Sequence, residues 1–162
     1  SLADGVSVEF EGIPRFSPEH FVRARLADPL KRKQLKKGLD QLAEEGAVQI
    51  FYDRKRLERD PILGAVGVLQ FEVIQHRLKA EYNVNAIFDT LPYQHARWVE
   101  GDAFDPDAFE RTAHGRITCV LDVESRPLIL FGDDWSLRRN VDSNPTLTFI
   151  AAVQPGRSAK SS

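Results

Sequence analysis

The sequence predicts an α+β fold, an antiparallel sheet with two helices on one face, followed by a smaller α+β unit packed against it. Three observations lead there. Short segments with alternating apolar residues recur along the chain, which is strand periodicity. Two longer stretches between them place apolar residues at helical spacing. Over residues 21–90 these segments follow one another as β-α-β-β-α-β.

Each element has a local reason. "FVRARLA" (Phe21 to Ala27) alternates and reads as a strand. In "DPLKRKQLKKGLDQLAEEGA", Asp28 is the N-cap and Pro29 the first helical residue. Leu35, Leu39 and Leu42 make the buried stripe, and Gly46 closes the helix. "AVQIFYD" (Ala47 to Asp53) is a strand, "RKRLERDP" its charged loop, and "PILGAVG" a short strand ending at Gly67. From Val68 the period changes: Phe71, Ile74, Leu78 and Tyr82 line one helix stripe, and Leu69, Val73 and Ala80 line another nearly opposite, with His76 in line. One stripe is expected on the sheet and the other against a different element. Asn83 ends that helix and "VNAIFDTL" resumes as a strand. Two strand-helix-strand halves of this kind make a ferredoxin-like unit.

Around it, "VSVEFEG" (Val6 to Gly12) reads as a strand, and "HARWVEG" (His95 to Gly101) as another. "DPDAFERT" is a short helix capped by Asp105. "RITCVLDV" and "PLILFGD" form a hairpin across "ESR", "DWSLRRNV" is compatible with a helix, and "TLTFIAAV" is a last strand. "QPGRSAKSS" has the composition of a disordered tail. The expected division is a joining segment 1–20, a ferredoxin-like subdomain 21–92, an α+β subdomain 93–153 and a tail 154–162.

The 162 residues are 42% hydrophobic and 28% charged, an ordinary globular balance, with a net charge of −2. Nucleic-acid binding would therefore need a local patch. One cysteine, Cys119, excludes an internal disulfide and suits a reducing cytoplasm. No apolar run approaches the ~18 residues of a membrane helix. The chain contains no methionine and starts Ser1-Leu2, which points to a piece of a longer protein.

Catalytic signatures are missing. Neither G-x-x-x-x-G-K-[ST] nor G-x-G-x-x-G occurs, and "GAVG" is a strand-to-helix corner with no lysine after it. The four histidines His20, His76, His95 and His114 are scattered, without metal-ligand spacing. No G-x-S-x-G occurs, and Cys119 within "ITCVLDV" reads as a buried structural thiol. The acids Asp102, Asp105, Asp107 and Glu110 fit a calcium loop poorly; capping and first-turn placement account for most of them. A carboxylate hydrolase built on them would require a concave pocket and a desolvated acid.

The basic residues are more informative. Lys31, Arg32, Lys33, Lys36 and Lys37 crowd the start of the first helix, while Glu44 and Glu45 finish it. That polarity opposes the helix dipole, at roughly 0.3–1 kcal/mol per exposed charge. With Arg54, Lys55, Arg56 and Arg59 of the later loop they form a candidate phosphate-backbone contact, for structured RNA or an acidic protein partner. An autonomous RNA-binding module using the sheet face is the alternative; it would need exposed aromatics there, with Phe51 and Phe88 as candidates.

The stretches "FEGIPRFSPEHFVRARLADPLKRKQLKKGLDQLAEEGAVQIF", "GAVGVLQFEVIQHRLKAEYNV" and "ARWVE" closely resemble the C-terminal domain of the bacterial peptide chain release factor 3 family, translational GTPases of the class II release factors. The resemblance is dense from Phe10 to about Glu100 and weaker beyond Gly101. "LAEEGAVQIF" and "VGVLQFEVIQHRLKAEYNV" are also similar to the third domain of elongation factor G, with Gly67, Val68, Leu69 and Gln70 where that domain carries a G-E-L-H-type run. The resemblance implies a non-catalytic domain of a GTP-dependent termination factor that recycles class I release factors on the ribosome. It implies that GTP and Mg bind a G domain upstream, followed by a β-barrel domain, and that neither lies in this chain. It further implies contacts to the small ribosomal subunit, rRNA and the protein near the decoding region, in the cytoplasm and without a membrane.

Overall fold

A computed structural model describes residues 15–56, 59–101 and 104–153. The strand read at 6–12, Asp102 and the tail 154–162 lie outside the described residues. The elements are β1 (Arg15–Phe16), β2 (His20–Leu26), a 3-10 turn (Pro29–Lys31) running into α1 (Arg32–Glu44), β3 (Gln49–Asp53), β4 (Ile62–Ala65), α2 (Leu69–Tyr82) and β5 (Ala86–Thr90). They continue as β6 (His95–Glu100), α3 (Pro106–Thr112), β7 (Ile117–Leu121), β8 (Pro127–Phe131), α4 (Asp134–Ser143), β9 (Thr148–Ile150) and β10 (Ala152–Val153).

The helix boundaries follow from local chemistry. The Asp28 carboxylate accepts the Leu30 N–H, and Pro29 starts the turn. Gly46 leaves α1 with φ +83°, a conformation that costs other residues a steric penalty. At the start of α2 no N-cap side chain is available, and the Gln70 side-chain oxygen accepts the Val66 and Gly67 N–H groups instead. Asn83 at φ 57° ends it in the left-handed region.

Strands β2 to β5 lie in the order β5-β2-β4-β3, all antiparallel. This is the ferredoxin-like arrangement that the β-α-β-β-α-β order predicts. The sheet does not stop there. Tyr52 and Asp53 of β3 pair with Leu121 and Val120 of β7, so the order continues β7-β8-β6-β9 as one eight-stranded antiparallel sheet. "TLTFIAAV" accordingly breaks near Ala151: β9 joins the large sheet and β10 pairs with β1.

Strand alternation sorts the core into layers. Val22, Ala24, Ile50, Leu63 and Ala65 face α1 and α2 through Leu35, Leu39, Leu42, Phe71, Ile74 and Leu78. Their neighbours Phe21, Phe51 and Ile62 point the other way, onto Ala96, Trp98, Val120, Leu128 and Leu130 of the second half. There Ile129, Phe131 and Val99 turn outward to meet Phe109 of α3 and Leu137 of α4. The result is helices, sheet, sheet, helices, with the sheet continuous through β3 and β7.

One expectation for α2 fails. Phe71, Ile74 and Leu78 bury against the sheet, but Leu69 and Val73 of the second stripe are 68% and 56% exposed. The second half of the chain covers the far face of the sheet, so no described element lies outside α2.

The buried polar anchor is Asp122, at the β7–β8 turn. It accepts the Trp98 Nε1–H at 3.0 Å, the Arg126 Nε–H at 2.8 Å and the Glu124 and Arg126 backbone N–H groups at 2.9 Å. Elsewhere α1 and α2 touch closely at Gly38, where a Cβ would sit 2.7 Å from Leu78 Cδ2.

Two stability outcomes follow. Asp122→Ala removes the acceptor from the buried Trp98 indole and Arg126 guanidinium, and urea melts are expected to show a loss of roughly 3–5 kcal/mol. Gly38→Val overpacks the α1–α2 contact, with an expected loss of about 1–3 kcal/mol in the same measurement.

Candidate functional site

Two groups emerge from the nine basic residues. Arg54 and Lys55 turn back onto the second half of the chain: Arg54 meets Asp107 at 2.9 Å and Glu110 at 3.0 Å, and Lys55 meets Asp107 at 3.2 Å. They bolt α3 to the end of β3. Arg59 pairs with Asp53 at 3.1 Å, and Arg56 stays exposed on the loop. Arg32 approaches Asp60 at 3.8 Å, and Lys36 meets Asp40 one turn on at 2.9 Å. The Asp40 hydrogen bond holds the Lys36 ammonium above its ordinary pKa. Lys31, Lys33 and Lys37 form no ion pair among the described residues, and Lys33 and Lys37 are exposed. No acidic residue occupies the first turn of α1. The start of this helix is thus a cationic end in which, among the described residues, Lys31, Lys33 and Lys37 carry no ion pair.

Beside it lies a cleft of about 810 Å³, between α1 and the β7–β8 hairpin. Leu35, Leu39 and Tyr52 line its inner side and Leu121 and Val123 the hairpin side. Burial pushes the Tyr52 hydroxyl above its ordinary pKa, so it is a neutral phenol at neutral pH. Arg32, Lys36 and Arg59 stand at the edge. The sequence shows the cations but not this cleft, because the hairpin that closes it is distant from α1 along the chain.

The carboxylates do not form a hydrolytic pair. Asp105 caps α3 by accepting the Asp107 N–H at 3.0 Å. Arg54, then Lys55, hold the Asp107 carboxyl below the usual carboxylate range. Glu110 bridges Arg54 and the Cys119 backbone N–H, at 3.0 and 2.9 Å. Burial, then the Glu110 charge, pushes the Cys119 thiol up to about 12, so it is an un-ionised core residue. Each described acid of this group thus caps a helix or pairs with a cation or a backbone N–H, and none is buried.

The sheet face required by an autonomous RNA-binding module is closed. Phe51 is fully buried and stacks at a tilt on Phe21 beneath the second half, and Phe88 meets Phe71 edge-on. GTP with Mg does not fit these residues either: the sequence has no phosphate loop, and no three described His, Cys, Asp or Glu side chains are placed to hold a metal. No helix among the described residues is long and apolar enough to cross a membrane.

One exposed aromatic escapes sequence reasoning. Trp135 is 59% exposed at the start of α4, with Arg138 and Arg139 one turn on. The signal is the spacing in "DWSLRRN", visible once the segment is known to be a helix whose other side, Ser136 and Asn140, is buried.

Comparison with known proteins adds the context. A family model described as "Class II release factor RF3, C-terminal domain" matches residues 10–141. A peptide chain release factor 3 from Symbiobacterium thermophilum is 51% identical over 154 residues, covering 95% of this chain and 29% of that protein. Proteins of the same name from Nostoc punctiforme and Synechococcus elongatus are 48% and 44% identical, over 96% and 97% of this chain. The chain spans less than a third of the length of these curated relatives. By family match and identity together, it belongs to the class II release factor RF3 family, as the C-terminal domain.

Proposed function

We propose that this chain is the non-catalytic C-terminal domain of a GTP-dependent translation termination factor, making ribosome contacts and coupling domains so that class I release factors are recycled. Family membership supports the translation context. The observation that carries the local reading is the cationic start of α1, where Lys33 and Lys37 have no ion pair among the described residues, against the preference of the helix dipole. Under this reading the parent holds GTP and Mg in a separate G domain followed by a β-barrel domain, and works in the cytoplasm. Lys31, Arg32, Lys33, Lys36 and Lys37, with the Arg54, Lys55, Arg56 and Arg59 loop, face rRNA phosphate and protein of the small subunit near the decoding region, or the G domain. Arg54 and Lys55 contribute by fixing the loop on α3 rather than by direct contact. The exposed stripe of Leu69 and Val73 supports the coupling role, since it offers a second apolar surface to an adjoining body.

Two measurements test this. In the complete factor, the triple change Lys33, Lys36 and Lys37 to Ala is expected to weaken ribosome binding and lower the salt slope by roughly 2–3. Unchanged affinity and slope would remove the patch from the interface. Leu69→Asp with Val73→Asp is expected to leave the thermal midpoint of this domain unchanged while slowing GTP-dependent release of class I factors from ribosomes. An unaltered release rate would show that the stripe takes no part in coupling.

A further inference from the structure

We propose that the outward face of α4 binds an unpaired RNA strand, with one base stacked on the Trp135 indole and the adjoining phosphates held by Arg138 and Arg139. This face belongs to the second half of the chain, whereas the α1 lysines belong to the first. The inference does not depend on the ribosome-facing reading of those lysines.

The face is set by what α4 buries. Ser136 and Asn140, one turn apart, are almost wholly buried. The Asp133 carboxylate accepts the Ser136 N–H at 2.8 Å. The Asn140 side chain accepts the His114 N–H and donates to the His114 carbonyl, both at 2.8 Å. These bonds fix the rotation of the helix. Trp135, Arg138, Arg139 and Asp142, at i, i+3, i+4 and i+7, therefore share the side turned to solvent. They line a recess of about 380 Å³. The indole is braced as well. A Cβ on Gly115, which sits at φ +75°, would come within 3.1 Å of its Cζ3 atom, so the ring rests on that turn. Trp135 is nevertheless 59% exposed. A ring held in place before binding loses little rotamer freedom when a base lies on it.

The arginines are free to take phosphate. Arg138 and Arg139 are exposed and form no ion pair among the described residues. Two acids stand near enough along the helix to have claimed them. Asp134, four residues before Arg138, turns to His95 instead. Asp142, four residues after it, also makes no ion pair among the described residues and lies at the end of the stripe away from Trp135. Ring and guanidiniums are one helical turn apart, about 5–6 Å between Cβ atoms, so neighbouring parts of one strand reach both. A protein partner fits this face less well. Its anchor would need apolar neighbours to shut out water, and the residues lining the recess beside Trp135 are charged. A nucleobase needs only an aromatic surface and cations for its backbone, whatever the base. The strand must be unpaired, because bases inside a duplex are already stacked on one another.

The test uses the 162-residue chain and its own fluorescence. Of its two tryptophans Trp98 is fully buried and Trp135 exposed, so quenching by an added strand reports on Trp135. All titrations carry Lys33→Ala, Lys36→Ala and Lys37→Ala, so that failure of the α1 reading and failure of this one are read separately. A single-stranded adenylate dodecamer is expected to quench the emission saturably. Trp135→Phe, which keeps a ring to stack on, should abolish the quenching while holding the affinity, read by anisotropy of a labelled strand, within threefold. Trp135→Ala is expected to weaken binding about tenfold. Arg138→Gln with Arg139→Gln should lower the salt slope by about 1.4, the value for two single-strand phosphates. Asp142→Asn should tighten binding. An abasic dodecamer and an RNA duplex should bind at least tenfold more weakly and leave the emission unchanged. Circular dichroism melts verify that the variants fold, and the quenching itself needs no change at α4. The proposal is overturned by absence of quenching at millimolar strand, by equal binding of the abasic strand, by unchanged affinity of Trp135→Ala, or by quenching that occurs only when the α1 lysines are present.

Discussion

The pairing of β3 with β7 governs the rest of the architecture. Through Tyr52 and Asp53 against Leu121 and Val120, a ferredoxin-like sheet that would otherwise end at β3 acquires four more strands. Those strands return over its open face and bury Phe21, Phe51 and Ile62 under Trp98 and its neighbours. Beside the junction, Asp122 gathers four donors from the hairpin turn and the Trp98 indole. A buried carboxylate is stable only when so thoroughly hydrogen-bonded. It thereby fixes where the hairpin sits, and with it the wall of the α1 cleft.

The same junction explains what kind of surface the domain can offer. A four-stranded ferredoxin-like sheet with one bare face is a natural platform for single-stranded nucleic acid. Here that face is interior, so the surface left to the domain is made of helix ends, loops and the step between layers. Arg54 and Lys55 illustrate the displacement. They look like partner-binding residues in isolation, yet they spend their charge on Asp107 and Glu110 and hold the two halves together.

The local rules carried residues 21–90 well. Asp28-Pro29 and Asn83 mark helix limits with their own chemistry, and the change of period at Val68 separates β4 from α2. What could not be read was tertiary. Leu69 and Val73 show the same apolar spacing whether or not anything covers them, and only the position of the second half on the far side of the sheet settles it. The split of "TLTFIAAV" into β9 and β10 likewise depends on where β1 and β6 lie, not on the residues between Thr146 and Val153. For the site, the cations were visible in sequence; their division into paired and unpaired ones, and the cleft beside them, required acids and a hairpin distant along the chain.

The short ladder of β1 with β10 joins Arg15 to Val153 and Phe16 to Ala152. The polypeptide therefore comes into the described body and departs from it at a single corner.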